Sequence, residues 1–205
     1  MRVGILGGSF NPPHLGHLAL ARTVLDQGLV DRVLCIPAGI PPHKTLARGA
    51  ADADRLAMTR LQAEADPRLD VSDIELGRPG RSYSIDTVHA LLEQNPNQEL
   101  HLIIGSDMAK IFAQWRQWQD LLRLAPPLVA QRPDHVLDPN PVVNYPGMDA
   151  AQWAVLEHGR FCMAPVAVNS TLVRQRIAAG AADAELQTFV LPSVLAYIRQ
   201  HSLYV

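Results

Sequence analysis

Gly7-Gly8-Ser9-Phe10-Asn11-Pro12-Pro13-His14-Leu15-Gly16-His17 decides how the rest of the chain is read. Ahead of it, the apolar run Val3 to Leu6 predicts a short buried strand; behind it, Leu18 to Leu25 carries apolar residues at helical spacing. Strand, glycine turn and helix therefore follow one another. Glycines let backbone amides approach an anion with no Cβ in the way, and a helix N-terminus adds partial positive charge. The segment predicts a phosphate site with two histidines one helical turn apart beside it. It is not a P-loop, which needs Gly-Lys followed by Ser or Thr, and Gly4, Gly7 and Gly8 do not fit the dinucleotide fingerprint G-x-G-x-x-G. Two blander readings stand beside it: a zinc-binding pair, which neither Cys35 nor Cys162 is spaced to complete, and histidines that only cap the helix.

Downstream, the strand and helix patterns keep alternating. Asp31 to Pro37 reads as a second buried strand, followed by a proline-rich loop, 38–50, that holds His43 and Lys44. Asp52 to Ala65 has helical periodicity, Leu69 to Leu76 alternates as a strand, and Ser84 to Glu93 reads as a helix stopped by Asn95-Pro96. Leu100 to Ile104 is the clearest central strand and opens into Gly105-Ser106-Asp107. Leu128 to Gln131 is another short strand, and Pro133 to Gly147 an exposed excursion. A helix over Ala150 to His158, a last strand over Phe161 to Val166, a helix over Thr171 to Ala179 capped by Asn169 or Ser170, and a helix over Ser193 to Gln200 complete the set. This order predicts an α/β fold: a doubly wound, mostly parallel, Rossmann-like sheet with ligands at the carboxyl ends of the strands. The 205 residues suit one domain, 1–205, with a short C-terminal helical extension.

Composition narrows the partners. A net charge of -2 gives no general footprint for nucleic acid, and no apolar stretch is long enough to span a membrane. No secretory segment is read ahead of the first strand, and two unpatterned cysteines suit a reducing compartment, so the cytoplasm is the expected location. Only Lys44 and Lys110 are lysines among the 18 basic residues; Lys44 could meet a phosphate as a point charge or be an ordinary loop lysine.

Three motifs follow predicted strands and would open on one edge of the sheet: the glycine turn, Gly105-Ser106-Asp107 and Asn169-Ser170-Thr171. Asp107 could accept from ribose hydroxyls or cap the next helix. Arg174, one turn beyond Ser170, could join the helix amides around a phosphate or lie on a solvated face. Together with IPPHK at 40–44, RSYSIDTV at 81–88, LIIGSDM at 102–108, WRQW at 115–118, Arg132-Pro133, NSTLVR at 169–174 and the ending LPSVLAYIRQHSLY, these motifs resemble the bacterial nicotinate-nucleotide adenylyltransferases of the His-x-Gly-His nucleotidyltransferase superfamily. The likeness runs from residue 3 to nearly the C-terminus. The departures are Val168-Asn169 ahead of the last motif, Ala38-Gly39 after the second strand, and Asn11 where Asp is common.

The resemblance implies adenylyl transfer from ATP to nicotinate mononucleotide, giving nicotinate adenine dinucleotide and pyrophosphate. It implies His14, His17, Lys44 and Arg174 as catalytic cations and donors. Gly7, Gly8, Ser9, Phe10, Gly105, Asp107, Ser170 and Thr171 are implied around ATP, and Ser84, Thr87, Trp115 and Arg132 around the nicotinate nucleotide. Mg²⁺ would be bound through the ATP phosphates rather than by protein side chains. Trp115 and Trp118 read equally as helix packing. The partners implied are ATP and nicotinate mononucleotide, with no nucleic acid and no membrane, and a homo-oligomer stays open. Rival acceptors are phosphopantetheine and nicotinamide mononucleotide; a rival of another class is a nucleotide-sensing module without catalysis.

Overall fold

Residues 1–41, 49–131 and 147–205 are described by the structure, a computed structural model. Six strands form an all-parallel sheet: β1 (Arg2–Gly8), β2 (Arg32–Pro37), β3 (Leu69–Val71), β4 (Glu99–Gly105), β5 (Leu128–Gln131) and β6 (Arg160–Cys162). Their order is β3-β2-β1-β4-β5-β6, so the winding reverses between β1 and β4. Ligand crevices of such sheets open at that reversal, outside the carboxyl ends of the strands.

The strands are near-continuous apolar runs because both faces of the sheet are covered. On β4, Leu100, Leu102 and Ile104 point into one core with Ile85, Val88 and Leu91 of α3 (Ser84–Gln94), Leu121 of α5 (Trp118–Leu124) and Leu156 of α6 (Ala150–His158). Ile103 points the other way, into a core with Leu18, Ala21, Val24 and Leu25 of α1 (Leu15–Asp26). The period of two that defines a strand thus assigns each residue to a layer. Gly4 of β1 is glycine for the same reason: a Cβ there would stand 2.6 Å from Ile103 Cδ1. α1 ends where Gly28, at φ 64°, closes a Schellman turn through Gly28 N–H to Leu25 O and Leu29 N–H to Val24 O.

A third core lies beside the sheet. Met58 of α2 (Asp52–Ala63) packs with Val173 and Ile177 of α7 (Ser170–Ala178), Leu186 of α8 (Asp183–Leu186) and Val194, Leu195 and Ile198 of α9 (Pro192–Gln200). The C-terminal helices are thereby anchored to α2 rather than left as an exposed appendage.

Two predicted strands are shorter than the alternation implies. Leu69 to Leu76 pairs only over Leu69–Val71, because Leu76 N–H turns back onto the Asp73 carbonyl at 2.8 Å. Phe161 to Val166 pairs only over Arg160–Cys162, and the chain from Met163 to Val168 then leaves the sheet to wall a cleft. The short α4 (Ser106–Ala109), α5 and α8 went unpredicted, being too short to show a helical period. The excursion read over Pro133 to Gly147 lies outside the described residues except for Gly147. Among the described residues no helix is long and apolar enough to cross a membrane.

Candidate active site

At the β1/β4 reversal the glycine turn runs from β1 into α1. His14 is the N-cap of α1, and its backbone N–H donates to His17 Nδ1 at 3.2 Å. That bond fixes the tautomer: with Nδ1 accepting, the proton of a neutral His17 sits on Nε2. The two imidazoles stack with centroids 3.7 Å apart, and Phe10 backs His17 at 4.7 Å. The Phe10 side chain is fully buried and serves as a face for His17. Gly16 separates the histidines because a Cβ there would press the His14 ring at 3.0 Å.

The carbonyls of the turn are tied back by side chains from distant elements. Arg55 Nη1 donates to the Ser9 carbonyl (2.7 Å), Arg174 Nη1 to that of Asn11 (2.7 Å), Ser170 Oγ to that of Pro12 (2.9 Å) and Gln62 Nε2 to that of His14 (2.8 Å). A backbone carbonyl facing a phosphate would repel it; committing these acceptors elsewhere removes that repulsion at four of the turn's residues. Arg55 and Gln62 lie on the buried stripe of α2, where Arg55 is fully inaccessible and held by Asp52 at 2.6 Å. The sequence reading missed both; a polar stripe Arg55, Thr59, Gln62 on a core-facing helix was the available signal.

Asn169, not Ser170, caps α7, accepting from Leu172 N–H at 2.9 Å. Ser170 is thereby free to brace the turn. Arg174 Nη2 also donates to Thr171 Oγ1 at 3.2 Å, so Thr171 and Arg174 form one unit on the exposed side of α7.

Two clefts open along this edge. The larger, about 1180 Å³, is lined by His14, His17, Gly105, Thr171, Arg174 and the 163–168 segment. The smaller, about 450 Å³, is lined by Gly7, Gly8, Phe10, Tyr83, Ser84, Thr87, Trp115 and Arg116. Ser9, His17, Asp107 and Ser170 line both and form the seam between them. Asp107 is exposed in the first turn of α4, whose N-cap is Gly105, so the capping alternative for Asp107 does not hold and its carboxylate stays available.

In the smaller cleft, Trp115 is half-buried beside Phe112, at 5.3 Å between ring centroids. Trp118 is buried in the core, and Trp115 packs partly against the same cluster. Arg116 lies over the Tyr83 ring at 4.8 Å and 3.8 Å from Asp86, a polar residue at the cleft that the sequence reading had not singled out. Ser84 is the first residue of α3; its amide is among those no intrahelical carbonyl can satisfy. Thr87 lines this cleft but is buried; its hydroxyl donates to Glu75 Oε1 at 2.7 Å and accepts from Arg78 Nη2 at 2.6 Å, so it helps to shape the wall. Burial pushes the Glu75 carboxyl above its ordinary range despite the Thr87 and Ser82 hydroxyls. Ser82 Oγ in turn accepts from Gly39 N–H at 3.0 Å, which ties the turn after β2 to the same carboxyl. Lys44 and Arg132 lie outside the described residues.

Among the described residues no group of three His, Cys, Asp or Glu is placed to hold a metal. The zinc reading of the histidine pair finds no third ligand there.

The cytidylyltransferase-like family model matches residues 5–176. The probable nicotinate-nucleotide adenylyltransferase of Synechococcus sp. (strain JA-3-3Ab) is 41% identical over 205 residues, covering 100% of this chain and 95% of that protein. The one from Enterococcus faecalis is 35% identical, covering 99% and 84%. In fold, the chain is similar to the Plasmodium falciparum nicotinic acid mononucleotide adenylyltransferase complexed with NaAD, with TM-score 0.76, 15% identity and coverage of 99% and 97%. The chain belongs to the cytidylyltransferase-like family and, within it, to the nicotinate-nucleotide adenylyltransferases.

Proposed function

We propose that this chain transfers the adenylyl group of ATP to nicotinate mononucleotide, releasing pyrophosphate and forming nicotinate adenine dinucleotide in NAD biosynthesis. The observation that carries the reading is the pair of clefts abutting at Ser9, His17, Asp107 and Ser170. Two nucleotides seated one in each cleft bring their phosphates together at that seam. A phosphate oxygen of the mononucleotide forms a bond to the α-phosphorus of ATP as the bond from that phosphorus to the β-bridging oxygen breaks. The pair leaves as pyrophosphate, and no covalent enzyme intermediate is needed. The attacking oxygen is already anionic, so the protein's work is alignment and charge stabilisation.

His17 Nε2–H and His14 donate at the seam, and Arg174 with the first amides of α7 at Ser170 and Thr171 holds the leaving phosphates. The amides of Gly7, Gly8 and Ser9 allow close approach, and Gly105 and Asp107, which line the larger cleft, are proposed to meet the ATP ribose. Lys44 and Arg132 are proposed as further phosphate cations. The nicotinate ring stacks on Trp115, its carboxylate meeting the Ser84 amide. A Mg²⁺ ion carried on the triphosphate would supply charge neutralisation there, and it takes oxygen ligands. The larger cleft offers chiefly N–H and hydroxyl donors with Asp107 as its carboxylate, a set that suits phosphate-held metal. The 1–205 chain acts as one nucleotidyltransferase domain, in the cytoplasm.

Pyrophosphate release from ATP and Mg²⁺ is measured with nicotinate mononucleotide, nicotinamide mononucleotide and phosphopantetheine as separate acceptors. Preference for the first is expected. Preference for either of the others overturns the acceptor, and binding of ATP without turnover overturns the enzyme reading. His17→Ala is expected to lose about 10²–10³-fold in kcat, by analogy with removal of one preorganised oxyanion donor. Trp115→Ala is expected mainly to raise KM for the mononucleotide.

A further inference from the structure

We propose that Tyr204, near the C-terminus, is a positioning residue for the transfer, acting through Asn11. Its hydroxyl donates to Asn11 Oδ1 at 2.7 Å across 193 residues of sequence. Asn11 sits in the middle of the glycine turn and is only 3% exposed. The tail reaches it by a specific route. α9 ends in a Schellman closure, with Ser202 N–H on Arg199 O at 3.2 Å and Leu203 N–H on Ile198 O at 3.0 Å. The left-handed position is Ser202, at φ 48°, and Tyr204 is again left-handed at φ 66°. Neither is glycine, so both carry a steric cost. Contacts that over-determine the backbone maintain such costs, and Leu203 and Tyr204 both pack against the third core.

A second element closes on the same atoms. The Asn11 Oδ1 that accepts from Tyr204 also faces Ala50 N–H at 3.4 Å. Gly49 fits between the two side chains: a Cβ there would lie 2.8 Å from Asn11 Oδ1 and 2.9 Å from Tyr204 Cε1. The tail, Gly49-Ala50 and the turn thus interlock at Asn11. The Asn11 carbonyl is simultaneously held by Arg174. Its side chain is held by the tail and by Ala50 N–H, and its main chain by the helix that carries the proposed phosphate cation. Loss of the Tyr204 hydroxyl releases one of these constraints and lets the turn shift relative to α7. The inference rests on the reading that this turn cradles the triphosphate.

The test compares Tyr204→Phe, Asn11→Ala and the double variant with the parent in steady-state pyrophosphate release, with thermal melting in parallel. Tyr204→Phe keeps the ring and its packing. Its kcat is expected to fall roughly fivefold, the rate equivalent of one neutral hydrogen bond, with KM for the mononucleotide unchanged. In the Asn11→Ala background the same change is expected to cost nothing further. Deletion of Val205, which is 85% exposed, is the control and is expected to match the parent. A Tyr204→Phe enzyme with lower melting temperature but parental kcat overturns the inference, as does a loss that adds in full to that of Asn11→Ala. Parental turnover by His17→Ala overturns the site reading and the inference with it; parental Tyr204→Phe beside a strongly impaired His17→Ala overturns the inference alone.

Discussion

Replacing Gly16 by alanine tests whether the histidine geometry, and not merely the presence of two histidines, sets the rate. The added Cβ would stand 3.0 Å from both Cε1 and Nδ1 of His14 and 3.3 Å from Val168 Cγ1. Carbon contacts relax to about 3.5–4.0 Å, so the ring has to retreat by roughly half an ångström. Retreat is obstructed, because His14 is 7% exposed and stacked on His17 at 3.7 Å. A misplacement of about 1 Å can cost about 10²-fold, which scales to roughly tenfold in kcat for this shift. Stability moves little, since alanine in place of glycine in a helix returns up to about 1 kcal/mol against the steric cost. The assay is steady-state pyrophosphate release beside thermal melting. A Gly16→Ala enzyme with parental kcat would show that ring placement at this scale does not limit the reaction, and would refute the reasoning.

Thr87→Val keeps the shape of the side chain and removes the hydroxyl between Glu75 and Arg78; unfolding in urea is expected to show a loss of about 1–3 kcal/mol, and an unchanged midpoint would contradict it. The Asp66 carboxyl is held down to about 2, chiefly by the hydrogen bond from the Arg68 side chain. Its folded value lies below its ordinary one, so its contribution is present above about pH 4 and is lost as pH falls toward 2. Melting temperature from pH 5 to 2 should therefore fall less steeply in Asp66→Asn than in the parent, and parallel curves would remove Asp66 from the acid transition. Gly159→Ala would drive a Cβ into the Pro127 carbonyl oxygen, a backbone atom that cannot swing aside. A clear drop in melting temperature is expected; full retention would mean the β5–β6 edge adjusts freely.

Much of the fold was readable because its signals are local. The run Leu100 to Ile104 is apolar on both faces of a central strand, and α3 shows its buried face at Ile85, Val88 and Leu91. The histidine pair and the Ser-Thr motif were readable as strand-end features, and the topology brings both to one seam. The burial of the Thr87 hydroxyl and the Phe10 ring was not, since in sequence a hydroxyl or ring looks the same whether it is exposed to a cleft or packed on a neighbour. The length of β6 was misjudged because Met163 to Val168 keeps an apolar composition while lining a cleft. The least legible contacts are those of Arg55, Gln62 and Tyr204 with the turn. They join residues 46, 48 and 193 positions apart and leave no periodic trace.

Those same contacts explain how a chain of net charge -2 can serve two polyanions. Bulk charge does not attract them, so the favourable potential has to be local. At the glycine turn it arises as much from where carbonyls are sent as from where cations stand. Arg55, Gln62, Ser170 and Arg174 each occupy a turn carbonyl, and Arg55 does so while fully buried. A buried guanidinium committed to a carbonyl keeps its charge beneath the turn without offering a side chain that a phosphate could bind in the wrong place. Arg55 and Gln62, which brace the turn from beneath and line neither cleft, should therefore register in kcat more than in substrate affinity, because they set the position of the reacting atoms without contacting either nucleotide.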